Sequence, residues 1–173
     1  MRIPEVIKRR RSIRAFSDRN LSDDEVKLLV EAACRAPSAG NRQPWEFVVV
    51  RDEENRRRLA EAAYGQSFIA EAPVVFVVCA DPNRSASRYG RRGVELYCLQ
   101  DTAAAVQNLL LTAAHNGLGS CWIGAFDEEK TAEAIGAPEG VRPVAIVPVG
   151  CPAESPPPRP RRDLSEVIHR ERF

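Results

Sequence analysis

Thr102–Ala114 reads TAAAVQNLLLTAA. Thr102, Gln107, Asn108 and Thr112 are its only polar residues, so a helix here is apolar on almost every face. Such a helix has to be covered all round. Two arrangements achieve this: the helix is the centre of the core, or it is shared with a second subunit. A chain of this length has difficulty surrounding the helix alone, and the sequence leaves both arrangements open.

Working outward, the pattern predicts a helix from about Val94 to Asn116, stopped by Gly117. Upstream, Val74–Ala80 (VVFVVCA) is too short and too β-branched for a helix and reads as a buried strand. Between them, the residues after Asp81 read as a connector containing glycine and arginine. Further strands are expected at about Trp45–Arg51, Ser120–Ala125 and Val144–Val149. A short helix is expected over Pro4–Arg10, with proline in its first turn. Ser22-Asp23-Asp24-Glu25 forms a capping box that opens a helix to about Arg35, and Pro37 ends it. Asp52 caps a helix to about Tyr64, and Asp127 caps a shorter one.

The 173 residues suggest one domain, with 44% apolar and 28% charged side chains. Five of the 13 prolines lie between Pro152 and Pro160, which divides the chain into a body, residues 1–150, and an arm, residues 151–173. Lys plus Arg is 25 against 24 acids, so the net charge of +1 gives no support to nucleic-acid or membrane partners. The N-terminal MRIPEVIKRRRSIRAF has no apolar signal region, and no run approaches the roughly 18 apolar residues of a membrane span. Of five cysteines none forms a C-x-x-C pair, and the two histidines are far apart, so no metal site is expected. Cys34, Cys79 and Cys121 sit in apolar surroundings and are expected to fill core space. A reducing cytoplasm is the simplest compartment.

Three segments carry candidate chemistry. Lys8-Arg9-Arg10-Arg11-Ser12-Ile13-Arg14 has five cations in seven residues. It reads as a solvated basic face or as a site for one phosphate monoester, where a hydroxyl and bidentate guanidinium donors suit the ligand. Ala36–Trp45 (APSAGNRQPW) gathers turn residues, two amides, a hydroxyl and an indole. It is either an ordinary helix-to-strand loop or a surface for a flat heterocycle, whose edge the amides can read. Gly117-Leu118-Gly119 follows a helix and enters a strand, the reverse of a dinucleotide fingerprint. No P-loop and no G-x-S-x-G elbow occurs.

Together these segments resemble the FMN-dependent nitroreductase family. The resemblance is carried by Arg10-Arg11-Ser12-Ile13-Arg14, by Ala36-Pro37-Ser38-Ala39 with Asn41 and Gln43-Pro44-Trp45, and by Gly65-Gln66 before Ala72-Pro73. It continues through Gln107-Asn108-Leu109 and Gly117-Leu118-Gly119 to Pro160-Arg161-Arg162 before Val167-Ile168-His169. It runs from about residue 3 to the C-terminus in consistent order.

The resemblance implies an α+β fold with a central, mainly antiparallel sheet flanked by helices as a three-layer sandwich. It further implies an intertwined homodimer with C-terminal arm exchange and two non-covalently bound FMN molecules at the interface. By the same resemblance Arg10, Arg11 and Ser12 hold the phosphate and ribityl end, and Arg161 returns from the arm to the phosphate. Arg14 and Gln66 lie at the pyrimidine edge, while Ile123 and Gly124 border the ring near its redox-active centre. Pro37, Ser38, Ala39 and Asn41 approach from the partner subunit. The implied activity is hydride transfer from NAD(P)H through FMN to a nitroaromatic, a quinone or a similar small acceptor, in a ping-pong cycle with no protein acid or base assigned. The alternative is a flavin-binding or flavin-modifying protein without general NAD(P)H turnover. The chain is short between Asp81 and Gln107, where many relatives carry a helix or long loop over the cofactor, so a more open pocket is expected.

Overall fold

The computed structural model describes residues 2–173. Numbered in chain order, its strands are β1 (Trp45–Val50), β2 (Val74–Ala80), β3 (Gly119–Ser120) and β4 (Arg142–Gly150). Its α-helices are α1 (Glu5–Arg9), α2 (Asp23–Ala33), α3 (Glu53–Ala62), α4 (Phe68–Glu71), α5 (Pro82–Arg92), α6 (Cys98–His115) and α7 (Glu128–Ile135). The strands form one antiparallel sheet in the order β1-β2-β4-β3.

β2 decides the layering. All seven of its residues are buried, which requires cover on both faces of the sheet. Side chains alternate along a strand. Val74, Phe76 and Val78 therefore pack with Leu29 and Ala33 of α2 and with Ala105, Val106, Leu109 and Ala113 of α6. Val75, Val77 and Cys79 turn the other way, onto Leu59 of α3 and Ala63 at its C-cap, Ile69 of α4 and Ala134 of α7. The result is helix, sheet, helix, as expected. The β2–β4 register shifts between Val78 and Cys79, so that Val78 faces Ala145 and Cys79 faces Pro143. A proline is tolerated at such an irregularity because it has no ladder hydrogen to donate.

Caps set the helix starts. Ser22 and Glu25 make the reciprocal capping box, with Ser22 N donating to Glu25 Oε2 at 2.8 Å and Glu25 N to Ser22 Oγ at 3.2 Å. Asp52 and Asp127 each accept from the backbone three residues on.

Three readings change. The stretch after Asp81 is a helix, α5, with Asp81 as its cap and Pro82 in its first turn. It kinks at Gly90 (φ 52°, ψ −139°) and runs through a wide turn, Gly93–Tyr97, into α6. The strand expected over Ser120–Ala125 shrinks to β3 and an isolated bridge between Ile123 and Ile146, because the flanking residues leave the ladder. Cys34 is exposed, lying just past the last turn of α2 on its solvent side, whereas Cys79 and Cys121 are buried.

In a single chain α6 is covered on one side only. Cys98, Thr102, Ala105, Val106, Leu109, Leu110 and Ala113 are buried, whereas Leu99, Ala103, Leu111 and Ala114 are half-buried. Residues 157–173 are exposed throughout, including Leu164, Val167, Ile168 and Phe173. Among the described residues no helix is long and apolar enough to cross a membrane.

Candidate functional site

The basic segment after α1 is held down from two sides. Ser12 bridges Ser120, and Ile13 N donates to Ser120 O at 3.0 Å. Ile13 is 8% exposed and lies so close over Gly119 that an added Cβ there would stand 2.8 Å from it. On the other side, Ser17 N donates to Cys151 O and Ala153 N to Ala15 O, both at 2.9 Å. The segment 12–17 is thus laced between β3 and the start of the arm. Apolar Ile13 and Phe16 anchor it, which leaves the interleaved cations outside the core.

The arm turns back over that segment. Arg10, Arg11, Ser12 and Arg14 share a cavity of about 590 Å³ with Pro156–Pro158, Arg159 and Arg161, and Ile3, Ile7 and Lys8 complete it. Six of these side chains are cationic and none is acidic. Arg11 partly satisfies itself by donating to Lys8 O (2.7 Å) and Arg10 O (2.9 Å), which caps the carbonyl end of α1. Among the described residues, Arg10, Arg14 and Arg161 form no ion pair. Burial pushes the adjacent Cys121 thiol up, while Arg14, Ser12 and Arg10 pull against that shift. So many like charges around one volume call for an anion.

Gln66 and Gly124 do not line this cavity; the nearest link to it runs through Arg14. The Arg14 guanidinium lies 5.8 Å from the Phe68 ring centroid. Two residues earlier, Gln66 Nε2 donates to Ala63 O at 3.0 Å and to Ala125 O at 3.3 Å, beside Gly124. Gly124 is exposed with open space where a Cβ would stand, and it lines a second cavity of about 310 Å³ with Leu99, Ala103, Trp122, Phe126 and Arg142. Ile123 is different: its side chain is 4% exposed and packs inside the sheet core.

Pro37, Ser38, Ala39 and Asn41 are not brought to the cations within one chain. Their loop enters β1 at Trp45, which pairs with Ala80 at the far end of β2, whereas the basic segment meets β3 near Val149, the partner of Val74. Six residue steps along the strand separate the two ends, about 20 Å. The loop is sharply shaped. Gly40, Asn41 and Gln43 all have φ near +50°, a region non-glycine residues enter rarely. Ser38 Oγ accepts from Gln43 N at 3.0 Å, and the carboxylate of Asp101 accepts from Ala39 N at 3.1 Å. Burial raises the Asp101 carboxyl above the ordinary carboxylate range, opposed by that amide.

Sequence reasoning placed Lys8 in the candidate basic segment without giving it a role of its own, and it missed Arg159, which neighbours Arg161, and the cavity at Trp122. A tryptophan left 39% exposed was invisible without the fold.

The sequence model of the nitroreductase family matches residues 7–68 and 62–151. The chain belongs to the nitroreductase family. Among its relatives is a protein of Archaeoglobus fulgidus assigned as an NADH dehydrogenase/NAD(P)H nitroreductase, 37% identical over 98% of this chain and 97% of its own. The FMN reductase (NADPH) of Bacillus subtilis is 31% identical over 98% of this chain and 73% of its own. Among solved structures, the NADPH:FMN oxidoreductase of Vibrio harveyi complexed with NAD+ has a TM-score of 0.89 at 28% identity, covering 98% of this chain and 76% of that one. This nitroreductase-family chain therefore matches the archaeal relative nearly end to end but spans about three-quarters of the two longer proteins.

Proposed function

We propose that this chain is an NAD(P)H-dependent flavin oxidoreductase with FMN as its cofactor and a nitroaromatic, quinone or similar small molecule as acceptor. The observation that carries the reading is the convergence of Arg10, Arg11, Ser12, Arg14 and Arg161, from opposite ends of the chain, on one cavity without an acid. The residues fit the group. A phosphate monoester suits several guanidinium forks and a hydroxyl, and a cavity of this size lies within the usual range for small-molecule sites.

FMN, when bound, supplies the centre that takes a hydride from the reduced nicotinamide and passes it to the acceptor, so that the two substrates use one site in turn. The protein's part is binding, orientation and charge. Arg10, Arg11, Ser12 and Arg161 would hold the phosphate end. Arg14 and Gln66 would meet the polar edge of the ring. A guanidinium there is charged at every working pH, so it stabilises negative charge that develops on that edge and favours the reduced state. Gly124 offers backbone with no side chain in the way. Pro37, Ser38, Ala39 and Asn41, too distant within one chain, would come from a second subunit. That homodimer also explains the half-buried side of α6 and the exposed arm, and its place in the cell would be the cytoplasm.

Purified protein should be yellow and should oxidise NADH or NADPH when given a nitroaromatic or a quinone. A colourless protein that takes up no added FMN overturns the reading.

A further inference from the structure

Helix α5 is tied to the loop that carries Pro37–Asn41. Arg42 Nε donates to Arg84 O at 2.7 Å, Arg84 Nε donates back to Arg42 O at 3.1 Å, and an Arg42 terminal nitrogen donates to Ser87 Oγ at 2.6 Å. Tyr89 and Arg88 close on Gly40: an added Cβ would stand 2.6 Å from the Tyr89 hydroxyl and 3.1 Å from Arg88 Cδ. Loop and helix are therefore bound to each other. The sequence of α5, PNRSASRYGRR, holds four arginines and no acid.

Most of that charge is unanswered. Glu95 pairs with Arg91 at 2.6 Å. Asp81 accepts from Asn83 N at 2.9 Å and Asp101 from Ala39 N at 3.1 Å, and neither forms an ion pair with an arginine of α5. Among the described residues, Arg42, Arg84, Arg88 and Arg92 have no acidic partner. Arg84 and Arg88 are exposed. In a chain whose net charge is +1, such a concentration on one short helix is local rather than general.

We propose that Arg84 and Arg88, presented by α5 beside the Pro37–Asn41 loop, form a subsite for the 2′-phosphate of NADPH. This rests on the reading above, in which that loop of one subunit closes on the flavin held by the other. The loop would then carry α5 to the rim of the ring site. A nicotinamide laid on the ring has to lead its adenosine end outward past this rim. A phosphate monoester there meets forked donors that no carboxylate neutralises, whereas the bare 2′-hydroxyl of NADH offers them no charge. The arginines thus act as a selector between the two reduced nicotinamides, in a segment that reads at first sight as a plain connector.

The test uses FMN-loaded protein and two probes that differ only in the phosphate, adenosine 2′,5′-bisphosphate and adenosine 5′-monophosphate, titrated by calorimetry. The wild type should bind the bisphosphate roughly tenfold more tightly, as expected for a charge-assisted contact. The variant R84Q/R88Q should lose that preference, and its ratio of kcat/KM for NADPH over NADH should fall by a similar factor. Glutamine is a strong helix former and both sites are exposed, so α5 should persist; if the double variant does not fold, R84Q and R88Q alone should each lose part of the preference. Equal affinity of the wild type for the two probes, or an undiminished preference in the variants, overturns the assignment. Failure of the flavin reading shows differently, as protein that takes up no FMN. It removes the ring on which a nicotinamide would lie and so overturns the subsite as well.

Discussion

Arg10 and Arg161 make the sharpest single-residue case, because neither forms an ion pair among the described residues and both face one cavity. Arg10→Ala or Arg161→Ala should weaken FMN retention roughly 10- to 100-fold, the usual cost of deleting a charge-assisted hydrogen bond. Thermal stability of the apo-protein should stay within about 0.5 kcal/mol, as for a surface change. A comparable loss of apo stability would mean that these arginines hold the fold. Glu25 tests a different kind of charge. A hydrogen bond from Arg19, helped by the Ser22 amide, holds its carboxyl down at about 2, against an ordinary 4.5. The folded value lies below the unfolded one, so the stabilisation is complete above pH 4.5 and is lost as the pH falls towards 2. Side chains of the pair are 32% and 49% exposed, so solvent screens the effect and it is small. Glu25→Gln keeps the capping geometry but cannot titrate. Urea unfolding at neutral pH and near pH 2 should show a smaller loss of stability on acidification in the variant than in the wild type.

At the scale of elements, the sheet's tightest junction is Gly150, at the end of β4. A Cβ there would stand 2.7 Å from Pro73 and 2.9 Å from the Phe16 ring, so the basic segment, the start of β2 and the root of the arm all lean on one hydrogen-sized gap. Gly150→Ala should cost about 1–3 kcal/mol, the usual range for overpacking. Denaturant titration measures it directly, and an unchanged midpoint would show that the strap over β4 is loose. Much of this level was legible in the chain itself. The bounds of β2 follow from seven consecutive apolar residues, four of them valine, that only a doubly covered strand can bury, and caps at Ser22, Asp52 and Asp127 place three helix starts. α5 was missed for a physical reason: serine, arginine and glycine give it no apolar stripe, although Asp81 and Pro82 are an ordinary helix opening. The short β3 was over-read because Trp122 and Gly124 fall outside the ladder, a matter of tertiary pairing. For the site, the basic run announced its own cluster. That Arg161 reaches the same cavity depends on the path of the arm, which spacing alone cannot reveal, and the structure leaves Pro37–Asn41 away from that cavity within one chain.

For the whole molecule, the cover that the apolar helix α6 demands is only half supplied within one chain. α6 buries its inward side against β2 and β4, yet its Leu99–Ala103 side is only half-buried and residues 157–173 of the arm are exposed. On the proposed reading, the basic cluster and the Pro37–Asn41 loop, about 20 Å apart by strand rise, would serve one flavin only when two copies combine them. Family membership is established by sequence; the proposal beyond it is that the cations from both ends of the chain hold an anionic flavin that exchanges electrons with a nicotinamide. The most direct test is an anaerobic titration of the purified protein, followed at the flavin absorbance band, with NADPH and in parallel with NADH. The account predicts a yellow protein whose band bleaches stoichiometrically with at least one of the two nucleotides and returns when a quinone is admitted. A flavin band that neither nucleotide bleaches, or no band at all after incubation with FMN, would contradict it.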